Sequence, residues 1–288
     1  MNLNINIIDW LAENNNPAIE YRTKTELLNE KADNSKVIDW VKNILPFDWK
    51  DTKGLWLTYY YNAIAECGIS GLDFGIKKSD VIKYFQENPF EYNCQNFMQL
   101  RAFVMLGFEK ELQNIGIIEN LYNKQLLDGG FLCLHRLVKY EITPKSCVKC
   151  NNFALLFLSE CKKRNINTSI ENNLLQYYWK HKLFYKSTNL SSLILNAREG
   201  WRTIDTFYPF EVMRIGIQNI VEAFCTLGYG KDKKLEEAWN ILEGKKDKDG
   251  KYKLNGTLSK SYLPKEKVGK PSKWVTFYAI LARKNKKK

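Results

Sequence analysis

Proline and glycine are scarce in this chain, at 7 and 16 of 288 residues. Proline removes a backbone donor and glycine costs helix entropy, so their scarcity favours helices. Long apolar runs are missing as well. The longest clean stretch is Phe153–Leu158, far short of the roughly 20 residues that a membrane-spanning helix needs. The start, Met1-Asn2-Leu3-Asn4-Ile5, lacks a basic segment followed by an apolar one, so no signal peptide is expected. Histidine occurs only twice, at His135 and His181. Nothing resembles a P-loop, a Rossmann turn or a serine-nucleophile elbow, which leaves those chemistries without a sequence basis.

What is present is core material. The chain is 44% hydrophobic and 14% aromatic, which excludes global disorder. Seven cysteines is an odd number, and Cys67, Cys161 and Cys225 fall inside apolar helical patterns. With no signal peptide, this predicts reduced thiols and a cytoplasmic location. The net charge of +12 is spread partly over the tail Lys284-Asn285-Lys286-Lys287-Lys288 and partly over the loop Lys245–Lys270. A solvated lysine surface accounts for it plainly. Nucleic acid, anionic lipid or phosphorylated substrates would account for it functionally.

An internal repeat organises the chain. Ala102-Phe103-Val104-Met105-Leu106-Gly107-Phe108 is followed by Gln125-Leu126-Leu127-Asp128-Gly129-Gly130-Phe131. Ala223-Phe224-Cys225-Thr226-Leu227-Gly228-Tyr229 is followed by Lys246-Asp247-Lys248-Asp249-Gly250-Lys251-Tyr252. The Ala-to-Asp distance is 26 positions in both, and the copies lie 121 positions apart. Between the two blocks, Ile117, Ile118 and Leu121 align with Ala238, Trp239 and Leu242. Weaker copies of the first block begin at Ala63 and Ala154, and Trp274–Ala282 reads as a fifth. Each block ends an amphipathic helix, with Gly68, Gly107 and Gly228 where a left-handed cap is wanted. The Asp-Gly-x-aromatic segment then closes a helical hairpin with a turn. Hairpins of this kind bury one face on their neighbours and must stack. Other helices are expected from Asn16-Pro17 through Leu27, over Ser35–Leu45, over Ser79–Glu87, and from Thr206 and Pro209 to Leu227. With no linker in view, residues 1–288 read as a single all-α, helical-repeat domain.

Gln125-x-x-Asp128-Gly129-Gly130-Phe131 resembles the Gln-x-x-x-Gly-x-Trp turn of the terpenoid cyclase and protein prenyltransferase superfamily. Lys246-x-x-Asp249-Gly250-x-Tyr252 looks like an eroded second copy. The layout is similar to that of small bacterial squalene-cyclase-like or prenyltransferase-like proteins. It has Trp10-Leu11, Asn16-Pro17 and Tyr21-Arg22 near the start, the Asp-Gly-Gly-aromatic-x-Cys turn, and Lys270-Pro271-Ser272-Lys273-Trp274-Val275-Thr276 near the end. This resemblance implies an α/α toroid, a ring of helical hairpins, closed or incomplete, whose inner helices line an often apolar central cavity. The family's catalytic motifs do not follow. The nearest match to the Asp-x-Asp-Asp acid of class II cyclases is Asp247-Lys248-Asp249-Gly250, on the repeat turn. Neither His135 nor His181 stands where a prenyltransferase zinc ligand would.

Three constellations remain as candidate sites. The first is Trp201, Arg202, Asp205, Tyr208, Glu211 and Arg214. They are read as lining a cavity mouth at the start of a long helix, where free N–H groups and the dipole suit an anion. A capped helix with a Glu211–Arg214 pair accounts for the same residues. The second is Cys133-x-His135 with Cys147-x-x-Cys150, spaced to hold a tetrahedral zinc. Ordinary packing of buried thiols or a redox pair fits the same pattern. The third is Lys265, Lys267, Lys270 and Lys273 beside Trp274, either a phosphate grip or a solvated loop docked by the tryptophan. No nucleic-acid-binding motif accompanies it, which disfavours a nucleic-acid partner.

Two functions follow as expectations. In one, the toroid binds an apolar or isoprenoid-like small molecule, with or without a phosphate head, in a central cavity. In the other, a non-catalytic helical scaffold binds a protein or nucleic acid through its basic surface. Neither the reaction, if there is one, nor the oligomeric state is written in these patterns.

Overall fold

The structure is a computed structural model that describes residues 5–45, 55–88, 94–132, 146–185, 202–209, 211, 214–257 and 261–286. Among them are twelve α-helices and no strand longer than an isolated bridge. They are α1 (Ile5–Leu11), α2 (Pro17–Arg22), α3 (Ser35–Ile44), α4 (Leu55–Glu66), α5 (Lys78–Glu87), α6 (Cys94–Met105), α7 (Glu109–Asn114), α8 (Val148–Lys163), α9 (Glu171–Lys180), α10 (Ile217–Thr226), α11 (Glu236–Glu243) and α12 (Lys273–Asn285). The fold is all-α.

The helices fall into two populations. In α8 every residue from Cys150 to Cys161 is buried, and in α10 every residue from Ile217 to Cys225. α6 and α12 are nearly as enclosed. A helix covered on all sides must lie inside others. The helices that follow them bury only one face: Leu174, Leu175, Tyr177 and Tyr178 in α9, and Ala238, Trp239 and Leu242 in α11. The enclosed helices neighbour one another in chain order. α4 packs on α6, α6 on α8, α8 on α10 and α10 on α12. α12 then packs on the π-helical turn Thr23–Leu27 that continues α2.

The repeat is realised bond for bond. After α6, the Phe108 N–H reaches the Phe103 carbonyl and the Gly107 N–H that of Val104. After α10, Tyr229 and Gly228 bond Phe224 and Cys225 in the same way. Both glycines are left-handed, at φ +87° and +97°, as this cap requires. After α8 the position is held by Asn165 at φ +55°, the other residue that tolerates this region. The two aromatic turns match too. Gln125 bridges Phe131, and Lys246 bridges Tyr252. Each aromatic residue's carbonyl then accepts from the residue opening the next enclosed helix, Cys147 in one copy and Ser272 in the other.

Two expected helices differ. The second helix of the first full repeat stops at Asn114, because Gly116 turns left-handed at φ +70° and only a 3-10 turn at Leu121–Lys124 resumes the pattern. The helix expected from Thr206 begins instead at Ile217. Thr206 is held in extended chain by Asn255, which bonds its N–H, hydroxyl and carbonyl, and Gly216 precedes the helix with an extended ψ of 157°.

Candidate functional site

The later start of α10 changes how its upstream residues are placed. Glu211 and Arg214 do not share a helix face, and the dipole argument for an anion at Thr206 falls away. Asp205 is buried at 1% exposure and is consumed by its own turn. It accepts from the Arg202 N–H at 2.9 Å and pairs with the Arg202 guanidinium at 3.3 Å and with Lys245 at 3.4 Å. Tyr208 is fully buried and its hydroxyl bonds the backbone of Glu266. Burial, then the charge of Glu266, pushes its phenol well up. Glu211 is also buried and accepts from the Thr257 hydroxyl. These three anchor the segment. Trp201 lies outside the described residues.

Arg202 and Arg214 do come together. They line one pocket with Lys149 and Phe153 from the first turns of α8, and with Thr203 and Phe207 from the segment before α10. Burial pulls the Arg214 guanidinium below its usual value, against the opposing charge of Glu211. Lys149 carries no ion pair among the described residues. The void between them is about 10 Å³, room for roughly one water. Lys149 and Thr203 were absent from the sequence-based set, because nothing in α8 announces that its first turn faces residues 202–215.

Cys147 precedes α8 and Cys150 lies in its first turn, both buried and neither in a disulfide. Cys133 and His135 lie outside the described residues. Among the described residues no three His, Cys, Asp or Glu side chains are grouped to hold a metal ion. Burial raises the Cys67, Cys161 and Cys225 thiols, the last to about 12, with the nearby glutamates adding to it. They behave as core residues.

The densest chemistry lies elsewhere, roughly 16 Å along α8 from Lys149 at 1.5 Å per residue. Glu66, at the end of α4, has no exposed surface. It pairs with Arg101 of α6 at 2.5 Å and with Arg22 of α2 at 3.2 Å, and accepts from the Tyr278 hydroxyl of α12 at 2.5 Å. Arg22 forks onto Glu26 and lies over the Phe277 ring. Lys163 of α8 bridges Glu160 at 2.9 Å and Glu222 of α10 at 3.0 Å. Asn285 of α12 contacts Glu222 and Thr226. Two polar clusters, coupled by the charge of Arg101 acting on Glu160, therefore touch α2, α4, α6, α8, α10 and α12 between them.

Burial alone would raise the Glu160 carboxyl, but Lys163, Arg164 and Arg101 hold it well below the usual carboxylate range. A carboxyl whose folded pKa lies below its unfolded value stabilises the protein above the unfolded pKa, about 4.3, and loses that contribution as pH falls. The Glu160→Gln protein is therefore expected to be less stable than the parent at pH 7. The gap should close on acidification below about pH 4, as urea unfolding at stepped pH would show. A gap that stays constant to pH 2.5 would contradict it.

No family model, curated protein or solved structure matches the chain. No helix among the described residues is long and apolar enough to cross a membrane.

Proposed function

We propose that the hairpins close into an α/α toroid of the terpenoid cyclase and prenyltransferase kind, and that the chain binds a small molecule with an apolar body and an anionic head. Lys149, Arg202 and Arg214 receive the head. The observation that carries this reading is the convergence of three cationic side chains from two elements on one pocket, beside Phe153 and Phe207. The toroid is supported by the chain-order packing of the enclosed helices and the return from α12 to the end of α2. Arg202 and Arg214 are part-exposed, so an anionic head can reach them from the solvent side. Thr203 lines the same pocket. No catalytic acid or base is assigned. Asp205 and Glu211, on the same segment, are committed to internal partners.

Thermal-shift titration tests the proposal with inorganic diphosphate, geranyl diphosphate, farnesyl diphosphate and farnesol. Prenyl diphosphates are expected to stabilise most and farnesol least. Lys149→Ala, which removes a lysine with no ion pair among the described residues, is expected to weaken diphosphate binding about tenfold, the size of one lost charge-assisted bond of ~1.5 kcal/mol. Silence of the whole panel, or an unchanged affinity in Lys149→Ala, would remove the proposal.

A further inference from the structure

The positive charge of this chain is not spread along it. Residues 230–288 hold 18 Lys and Arg against 7 Asp and Glu, a net charge of +11, while the 229 residues before them carry +1. Of those 18 cations, 17 are lysines and one, Arg283, is an arginine. Segments far apart in sequence gather part of this excess on one surface. Lys253 bridges Pro271, the Leu254 N–H bonds the Lys270 carbonyl, and the Gly269 N–H bonds that of Leu254. The turn after Lys246 and the loop before α12 thus lie side by side. Lys248, Lys253, Lys267 and Lys270 are exposed on these two segments. Among the described residues none of the four has a carboxylate partner. Lys251, on the same turn, lies over the ring of Trp10 in α1, 4.5 Å from its centre, and Lys273 lies 5.5 Å from the same ring.

The carboxylates nearby are mostly occupied. Asp247 accepts the N–H groups of Asp249 and Lys251 within its turn. Glu266 caps the start of α12 through Ser272 and the Lys273 N–H, and Glu13 pairs with Lys273. Asp249 is the one exposed carboxylate on the two segments. Unpaired like charges held together raise the energy of the folded chain unless an anion lies across them. Lysine offers compact point charges and lacks the arginine fork that reads base edges. Val268 is the only large apolar side chain strongly exposed among them, at 46%, too little apolar surface to insert into a lipid layer.

We infer that this lysine surface, formed by the turn 246–254 and the loop 265–271, binds the phosphate backbone of nucleic acid without reading its sequence. The surface is independent of the pocket at Lys149, Arg202 and Arg214.

Fluorescence anisotropy of a labelled 20-nucleotide oligo-dT, from 50 to 200 mM salt, tests it. Three or four neutralised phosphates on a single strand predict a slope of log affinity against log salt of roughly −2 to −3. Reversing the four lysines that have no carboxylate partner among the described residues (Lys248→Glu, Lys253→Glu, Lys267→Glu, Lys270→Glu) is expected to weaken binding at least tenfold at 50 mM salt. The melting temperature should not fall, and the response to diphosphates should stay unchanged, in this variant. Reversing Lys110 and Lys180, outside the surface, should leave oligo-dT binding intact. The inference is overturned if affinity does not depend on salt, if the two reversals weaken binding equally, or if phosphatidylserine vesicles bind while oligo-dT does not.

Discussion

Replacing Glu66 by alanine is expected to cost about 3–5 kcal/mol, the range for removing one partner of a buried ion pair. For a chain of this size that is a fall in melting temperature of roughly 10 °C. Arg22 and Arg101 are each 2% exposed, and in the variant two guanidinium groups would face each other without the carboxylate between them. Tyr278 would lose the acceptor of its hydroxyl. Glu66→Gln keeps an acceptor for Tyr278 and fills the same volume, so it should cost less than alanine. The contrasting variant removes all three charges together, as Glu66→Leu with Arg22→Met and Arg101→Met. Apolar replacement of a whole buried cluster is often neutral or stabilising, so this triple variant should be more stable than Glu66→Ala alone. Urea unfolding of the three proteins decides it. A Glu66→Ala cost below about 1 kcal/mol, the value of an exposed pair, would show that water reaches the cluster.

The charged clusters also show what was legible in the sequence. The apolar repeat blocks carry a period and a cap glycine, so the enclosed helices and their ends could be placed from residue pattern alone. The buried charges sit inside those same blocks. Arg101 directly precedes Ala102, and Glu222 directly precedes Ala223, 121 positions later. A charge at one register in both clean copies is the signal that identifies the polar clusters, because a solvent-facing position has no reason to repeat inside an otherwise buried block. Glu66 gave no such signal, since it reads as the polar end of Ala63-Ile64-Ala65-Glu66. The segment before α10 differs from its sequence pattern for another reason. Thr206 and Pro209 look like a helix start, and only a tertiary bond from Asn255, about fifty residues on, holds Thr206 in extended chain. The pocket at Arg202 and Arg214 depends on that extended segment lying against α8, so the pair could be named in advance while its partner Lys149 could not.

The repeated turn supplies the second large effect and the sharper comparison. Gly129 and Gly250 occupy the same position in the two copies, at φ +91° and +81°, and each donates to the carbonyl three residues before it. Alanine at either site must adopt a left-handed backbone, a cost of roughly 1–2 kcal/mol. Their surroundings differ. A Cβ on Gly129 would lie 2.1 Å from the carbonyl oxygen of Asn173 in α9, whereas one on Gly250 would meet only the Cδ1 of Ile7 at 3.2 Å. The backbone of α9 cannot yield easily, because Gln125 donates to the Ile170 carbonyl and accepts from the Asn173 amide, tying the turn to the start of that helix. The Ile7 methyl is the end of a flexible side chain. Gly129→Ala is therefore expected to cost about 3–5 kcal/mol, the upper tail for single substitutions, and Gly250→Ala about 1–2 kcal/mol. Paired denaturant titrations measure the difference directly. Equal costs would mean that the turn and α9 are not in the contact that makes the first copy of this motif tighter than the second.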